Sequence, residues 1–353
     1  MLKFILQRFL RGILVIIGVI FVLFVLFYVL PGSPVDVITG GKATPETRAA
    51  LIKELDLDKP VWQQFLYYLN DLSPLAVHHD TPERQKEYGY LKIIKFGENA
   101  FVLKFPYLRR SYSYQEGKLV SQILLEDMEG TLILAITSMF FATVIGVFLG
   151  TIAAVRQNTW VDYTLVTVSS FGISVPSFVL AILVAITFGH YLKDYTGLEM
   201  TGSLWTDNRF GKAELKLGNL ILPTFTLAMR PLAIIVQLTR SSMIEVLSQD
   251  FIRTAKAKGL TFYEVIRKHA LKNALNPVIT AVSGWLASLM AGAFFIEYIF
   301  NWKGIGMTTV KAAADFRDAP VVIGATILIG IIFVIINILV DVIYALLDPR
   351  IRL

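Results

Sequence analysis

Residues 12–30 read GILVIIGVIFVLFVLFYVL, a stretch without a single charge. It is about as long as the ~20 apolar residues that an α-helix needs to cross the hydrocarbon core of a bilayer. Residues 321–347, VVIGATILIGIIFVIINILVDVIYALL, repeat the pattern near the other end with one acid, Asp341. In lipid every backbone N–H and C=O must be satisfied within its own segment or in a closed barrel, and continuous apolar runs of this length fit only the helical solution. The first run has no small-residue processing site and is too long for the core of a cleavable leader, so it is expected to stay as a span.

Working inward, four further spans are expected at residues 130–155, 163–188 (with Pro176 inside), 220–238 and 275–300. The fold class that follows is an all-α polytopic membrane protein with six transmembrane helices. Composition agrees: 55% of the 353 residues are hydrophobic, only 17% are charged, and the mean hydropathy is +0.62. Soluble domains carry about 25% charged residues. Three regions are expected: residues 1–30 as N-terminal segment and first helix, 31–127 as an extracytoplasmic domain between spans 1 and 2, and 128–353 as a five-helix core. Cys is absent, which excludes disulfides, thiolate metal sites and Cys nucleophiles.

Orientation follows from Lys and Arg near the span ends. With the N-terminus inside, the cytoplasmic pieces carry thirteen cations, among them Lys3, Arg8, Arg11, Arg156 and Arg240, against Asp162, Glu245, Asp250, Glu264 and Asp348. The outer pieces are close to neutral. Both termini are therefore expected in the cytoplasm. The net charge of +6 is topological and marks no nucleic-acid-binding face.

In the outer segment Thr44-Pro45-Glu46 reads as N-cap, N1 proline and first-turn acid of a helix through about Leu55. After Lys59-Pro60 a second helix is expected to set Trp62, Phe65, Leu66 and Leu69 on one face. Residues 90–105 suit a small β-hairpin turning at Gly97-Glu98-Asn99.

The stretch from Ser241 to Ala274 carries the mechanism. Span 4 should continue past the membrane through Met243, Val246 and Leu247. Phe251 to Lys258 suits a helix that stops at Gly259. Thr261-Phe262-Tyr263-Glu264 matches a capping box that starts a new helix in a new direction, running past Ile266 and His269 to Asn276-Pro277. The reading is a positively charged elbow, residues 241–274, that docks a partner; the bland alternative is an ordinary basic loop obeying the inside rule.

The residues Asp250-Phe251-Ile252-Arg253-Thr254-Ala255-Lys256-Ala257-Lys258-Gly259-Leu260, then His269-Ala270-Leu271-Lys272-Asn273-Ala274 and Pro277, resemble the cytoplasmic signature of binding-protein-dependent ATP-binding-cassette permeases, closest to the dipeptide/oligopeptide/nickel branch. Pro31-Gly32-Ser33-Pro34, Leu55-Asp56-Leu57-Asp58-Lys59-Pro60, Val175-Pro176-Ser177 and Leu347-Asp348-Pro349-Arg350 agree with it. The resemblance covers nearly the whole chain except about residues 75–106, which look like an insertion. It implies that the elbow is a coupling helix seated in a groove of a separate ATPase, with Arg253, Thr254, Ala255, Lys258, Gly259, Leu260 and Glu264 at the contact. The family signature begins Glu-Ala-Ala; Arg253 stands at the acid's place, so a Glu-mediated ATPase contact is not expected. Gly259 and Ala255 are singled out as positions where close helix packing tolerates no bulk.

The resemblance further implies the partners: a homologous second permease, two cytoplasmic ATPase subunits, an extracytoplasmic solute-binding protein and the lipid bilayer of a bacterial inner membrane. No cofactor is expected in this chain, ATP and Mg belonging to the ATPases. Gly40-Gly41-Lys42-Ala43 is no phosphate loop, because Asp36 stands where the first Gly belongs and Ala43 replaces Ser/Thr.

Other polar residues carry two readings each. Arg230, near the middle of span 4, meets either a substrate carboxylate in a water-filled path or a structural partner, the latter preferred; Gln237 is placed on the same path. Asp341 reads as structural. Pro176 kinks span 3. The pairs Gly146/Gly150 and the series Gly284, Ser288, Gly292 allow close helix approach. His78-His79-Asp80 offers ligand types, but adjacent histidines in an extended segment rarely converge on one ion, and no metal is expected. No catalytic arrangement is visible. The functional expectation is a permease subunit, itself no enzyme, of an ATP-driven importer of di- or oligopeptides. The alternatives are nickel or saccharide as cargo, and an ion-gradient-driven transporter, for which neither inverted repeats nor midplane carboxylates are found.

Overall fold

The computed structural model describes residues 2–29, 34–39, 43–54, 57–207, 213–315 and 317–347. Pro31-Gly32-Ser33, Gly40-Gly41-Lys42, Leu55-Asp56, the terminal Asp348-Pro349-Arg350 and the side chain of Asp341 lie outside the described residues. The chain is mainly helical. In order it forms α1 (Leu2–Phe24, prolonged by a π-helical turn Val25–Val29), α2 (Pro34–Thr39), α3 (Pro45–Glu54), α4 (Val61–Leu72), β1 (Leu75–His79), α5 (Pro82–Tyr88), β2 (Leu91–Phe96) and β3 (Asn99–Leu103). Then follow α6 (Val120–Val155), α7 (Trp160–Ser174), α8 (Ser177–Ile186, prolonged by a π-helical Thr187–Tyr191), α9 (Lys193–Thr196), β4 (Trp205–Asp207) and β5 (Ala213–Leu215). The chain ends with α10 (Gly218–Leu247), α11 (Asp250–Ala257), α12 (Phe262–Glu264), α13 (Leu271–Gly292), α14 (Phe294–Ile299), α15 (Ile305–Ala314) and α16 (Ala319–Leu347).

Among the described residues four helices are long and apolar enough to cross a membrane: Leu6–Phe27, Val120–Val155, Gly218–Leu247 and Ala319–Val340. The pair α7 and α8 makes a fifth if counted as one broken span. Two of the six expected spans are interrupted in the structure. The expected kink of span 3 at Pro176 is present and large: α7 and α8 meet at 107°. Pro176 lacks an N–H and forces the preceding residue out of the helical region, and Val175 accordingly sits extended at φ −90°, ψ 131°. The expected fifth span is a helix that stops at Gly292, with α14 resuming after Ala293. Asn276, Pro277, Thr280, Ser283 and Ser288 dilute its apolar character.

The chain divides into two compact units. The first holds residues 127–307 with segments 1–6 and 332–353. Its core joins α6, α8, α10, α13 and α14 through Leu134, Met139, Ala181, Leu232, Ile235, Met290 and Ile296. Helices approach closely where the sequence offers glycine. A Cβ on Gly146 would lie 2.7 Å from the Ile235 side chain, and one on Gly150 would lie 2.6 Å from the Val236 carbonyl oxygen. Gly172 of α7 meets the Met229 carbonyl in the same way. The carboxylate of Asp162, fully buried at the start of α7, takes both forks of Arg240 on α10 at 2.5 and 2.6 Å and the Asn158 N–H at 3.0 Å. Glu297, buried on α14, accepts the N–H groups of Gly306 at 2.7 Å and Met307 at 3.1 Å. Trp302 beside it donates to the Gly130 carbonyl at 2.9 Å.

The second unit holds residues 7–126 and 308–331. Ile20, Leu23 and Phe24 of α1 pack with Tyr68 and Leu72 of α4 and with Ala319, Ile323 and Ile327 of α16. Asp318 accepts from the Ser111 hydroxyl at 2.6 Å and from three consecutive N–H groups, Tyr112 to Tyr114, at 3.0 Å each. The expected helix opening at Thr44 is present, with the Thr47 N–H on the Thr44 hydroxyl at 3.2 Å. The expected hairpin is also present, turning through Gly97 (φ +62°) and Glu98, and it belongs to a three-stranded sheet of order β1-β3-β2 whose first strand was not foreseen. The α4 face differs from expectation: Phe65 and Leu69 pack inward with Tyr68 and Leu72, whereas Trp62 and Leu66 are 62% and 53% exposed.

Candidate functional site

The elbow is built by two consecutive helix stops and a restart. α10 runs on through Met243 and Val246 to Leu247, and the Ser248 hydroxyl then turns back to the Glu245 carbonyl at 2.7 Å. Gln249 is extended and α11 starts, to end at Ala257. Gly259 follows at φ +81°, a conformation that costs a residue with a Cβ about 1–2 kcal/mol. Thr261 then caps α12 with both bonds of a capping box: the Glu264 N–H on the Thr261 hydroxyl at 3.4 Å and the Thr261 N–H on Glu264 Oε2 at 3.1 Å. The helix continues through a π-helical Val265–Ala270 into α13. The Lys268 ammonium and the two Thr261 donors hold the Glu264 carboxyl below its usual range.

The two faces of the elbow differ in chemistry. Ile252, Ala255, Val265, Ala270 and Ala274 are buried with Ala154, Met243 and Val246, and Leu260 leans on the same cluster. Arg253, Thr254, Lys256, Lys258, Phe262 and Tyr263 are exposed. Lys256 lies over the Phe262 ring at 6.0 Å. The open face is therefore cationic and aromatic and rests on an apolar underside. Both positions have a reason within the chain. Ala255 is small because it packs against its own chain. Around Gly259 no atom of this chain's described residues lies within 4 Å of a would-be Cβ, so within the chain its requirement is backbone conformation.

A second polar group of residues lies where α7, α8, α10 and α13 meet. Arg230, the residue before Pro231 in α10, is exposed, and among the described residues it has no ion pair or hydrogen bond. A charge at bilayer depth costs about 2.5–3.5 kcal/mol on insertion scales, so the structural pair preferred for it is not supplied by this chain's described residues. It borders a cavity of about 80 Å³ with Ser177, Thr226, Trp285 and Ser288. Two turns further along α10, Gln237 Nε2 donates to the Ser170 hydroxyl at 3.3 Å. Gly284 and Ser288 of the small-residue series are exposed on α13, and nothing lies within 4 Å of a Cβ built on Gly284. The exposed face of α6 presents only bulky apolar residues at Ile136, Phe140 and Phe148, whereas this cavity sets hydroxyls and a guanidinium among apolar Leu180, Leu227 and Leu289.

His78 and His79 point to opposite faces of β1, as strand alternation requires. His78 is buried, its ring tilted against Tyr88 at 4.4 Å and stacked on Tyr90 at 6.0 Å, while His79 is exposed. Asp80 binds Lys92 and Lys95 at 2.6 and 3.0 Å. Sequence reasoning missed the Asp162–Arg240 clamp and Glu297. Glu297 carried a signal, a lone acid inside the apolar run Phe294–Phe300; Asp162 and Arg240 looked like ordinary cytoplasmic charges.

Residues 146–353, which include both the elbow and Arg230, match the family described as the binding-protein-dependent transport system inner membrane component. Residues 1–85 match the N-terminal part of such membrane components. The first match alone spans more than half of the chain. The chain belongs to this family. Among curated proteins this inner membrane component is 35% identical over 370 aligned residues to the dipeptide transport system permease protein DppB of Escherichia coli (strain K12), covering 100% of the chain and 99% of the relative. It is 35% identical to the protein of the same name from Bacillus subtilis (strain 168), with the same coverage of both. To the di/tripeptide transport system permease protein DppB of Pseudomonas aeruginosa (strain UCBPP-PA14) it is 33% identical, again over 100% of the chain and 99% of the relative. Among solved structures it is similar in fold to a chain of the MetNI methionine ABC transporter in an inward-facing conformation, with a TM-score of 0.52, 18% identity, and coverage of 65% of this chain and 97% of that one.

Proposed function

We propose that this inner membrane component is one permease subunit of an ATP-driven importer that passes di- or oligopeptides from an extracytoplasmic binding protein to the cytoplasm. The observation that carries the reading is the elbow. It is an exposed cationic and aromatic corner held rigidly on an apolar underside between two long helices, a surface suited to receive a partner and to move both helices with it. Near-full-length similarity to proteins named as dipeptide permeases supports peptide as the cargo.

In this reading the broken pair α7–α8 is one span and α13 with α14 another, which brings the count to six. Residues 31–127 stand outside, and both termini lie in the cytoplasm. A homologous second permease completes the path, and two ATPase subunits grip the elbows through Arg253, Thr254, Lys258 and the corner at Gly259 and Glu264, with Ala255 and Leu260 supporting it from below. ATP and Mg are held by those subunits. ATP and the loaded receptor each bind one state of the permease better than the other, and that difference drives the switch between inward and outward access.

The test is reconstitution into proteoliposomes of the two permeases, the ATPases and the binding protein. Labelled dipeptide should accumulate only with ATP and the full set. Accumulation by this chain alone, driven by a proton or sodium gradient, would overturn the proposal.

A further inference from the structure

We propose that Arg230 reads the free C-terminal carboxylate of the peptide as it passes through the membrane core. The inference rests on the importer reading above and names the substrate group that one position of the path takes.

Two arginines on α10 make the contrast. Arg240 is held bidentately by the buried Asp162, which is how this fold treats an arginine whose role is structural. Arg230, nearer the middle of the same helix, is exposed and has no anion among the described residues. A guanidinium at that depth requires water or an anion. Its surroundings favour an anion of small size. The adjoining cavity, about 80 Å³, has Ser177, Thr226 and Ser288 as its polar lining besides Arg230, the rest being apolar, and no carboxylate among its lining residues. The Thr226 hydroxyl is committed to the Leu222 carbonyl at 2.8 Å, whereas the hydroxyls of Ser177 and Ser288 have no partner among the described residues. A guanidinium fork with two free hydroxyls beside it matches a carboxylate, which accepts at both oxygens and takes arginine bidentately. On the α13 side Gly284 and Ser288 are exposed, and nothing lies within 4 Å of a Cβ built on Gly284.

The terminal carboxylate is the one acidic group that every unblocked peptide carries, whatever its side chains. A single cation reading it lets the path hold each peptide briefly and tolerate its sequence. An acid of the second permease is the competing partner for Arg230.

The assembled importer is reconstituted with wild-type chain, R230K or R230Q, and uptake is measured for a labelled dipeptide and for its C-terminal amide. The binding protein is identical throughout, so changes belong to the permease. Losing a charged hydrogen-bond pair is expected to lower R230Q uptake of the free-acid peptide about tenfold. R230K should be affected less, the amide should be transported no worse by R230Q than by wild type, and ATP hydrolysis stimulated by the loaded binding protein should persist. Undiminished acid uptake by R230Q, an equal loss on acid and amide, or failure of R230Q to assemble with the second permease would each overturn the inference, the last by assigning Arg230 to the partner. If wild type takes up neither form while importing another solute, it is the peptide reading that fails.

Discussion

Gly259 and Glu264 fix the same corner by different means, one by backbone freedom and the other by a side chain returned to the backbone. Because space around Gly259 is open and its φ is +81°, substitution there should be graded by tolerance of the left-handed region and not by size. Asn visits that region most readily, Ala less so, and a β-branched residue least. Uptake by the reconstituted importer should therefore fall in the order wild type, Gly259→Asn, Gly259→Ala, Gly259→Val. The Val variant should retain membrane insertion but uncouple ATP hydrolysis from transport, and its strain should be about 1–2 kcal/mol. A variant series ranked by volume, with Asn worse than Ala, would mean that the corner is closely packed against a partner. The capping box adds a pH dependence of known sign. Glu264 is ionised more easily in the folded chain, so its contribution is present above the ordinary carboxylate pKa and lost as pH falls through the lowered one.

At the scale of elements, the helices with long apolar runs and the elbow with its cap signals were legible in the sequence because each rests on local chemistry. What escaped depends on partners distant in sequence. β1, Leu75-Ala76-Val77-His78-His79, buries Ala76 and His78 and exposes Leu75 and Val77, the reverse of what hydropathy would assign, so alternation gave no signal. The same inversion placed Trp62 and Leu66 outside on α4. The 107° bend at Val175-Pro176 was visible as a kink, but a proline signals the break and not its angle. Burying His78 has a measurable consequence. Desolvation first, then the cations Lys104 and Arg84, push its pKa down to about 4 from 6.5, and its Nε2 has no hydrogen-bond partner among the described residues. The folded sheet thus disfavours protonation that the unfolded chain accepts. Its stability should be intact above pH 6.5 and decline toward pH 4, with a limiting slope of about 1.4 kcal/mol per pH unit for one proton. Hydrogen exchange of the β1 and β3 amides should accelerate over that range in wild type and far less in His78→Phe, which keeps the stacking on Tyr88 and Tyr90. Equal acceleration in both would place the acid-sensitive group elsewhere.

At the scale of the whole molecule, the proposal depends on which side of the membrane each end of the helices meets, and the absence of Cys from the sequence makes that directly testable. Two exposed positions report on opposite sides: Tyr263 on the elbow, 67% exposed, and Phe105 after β3, 89% exposed. Neither belongs to a core cluster formed among the described residues, so a single Cys at either should leave the fold intact. In the proposed topology the excess of Lys and Arg near the elbow puts it inside by the charge rule, and residues 31–127, close to neutral as a whole, carry Phe105 outside. In intact cells a membrane-impermeant maleimide should label Phe105→Cys and spare Tyr263→Cys. In inverted vesicles stripped of their ATPases the pattern should reverse, and adding the ATPase subunits back should protect Tyr263→Cys, because the cationic and aromatic face is then covered. Labelling of both positions from one side would overturn the topology. Correct sidedness without protection by the ATPases would keep the topology but remove the elbow as their docking site.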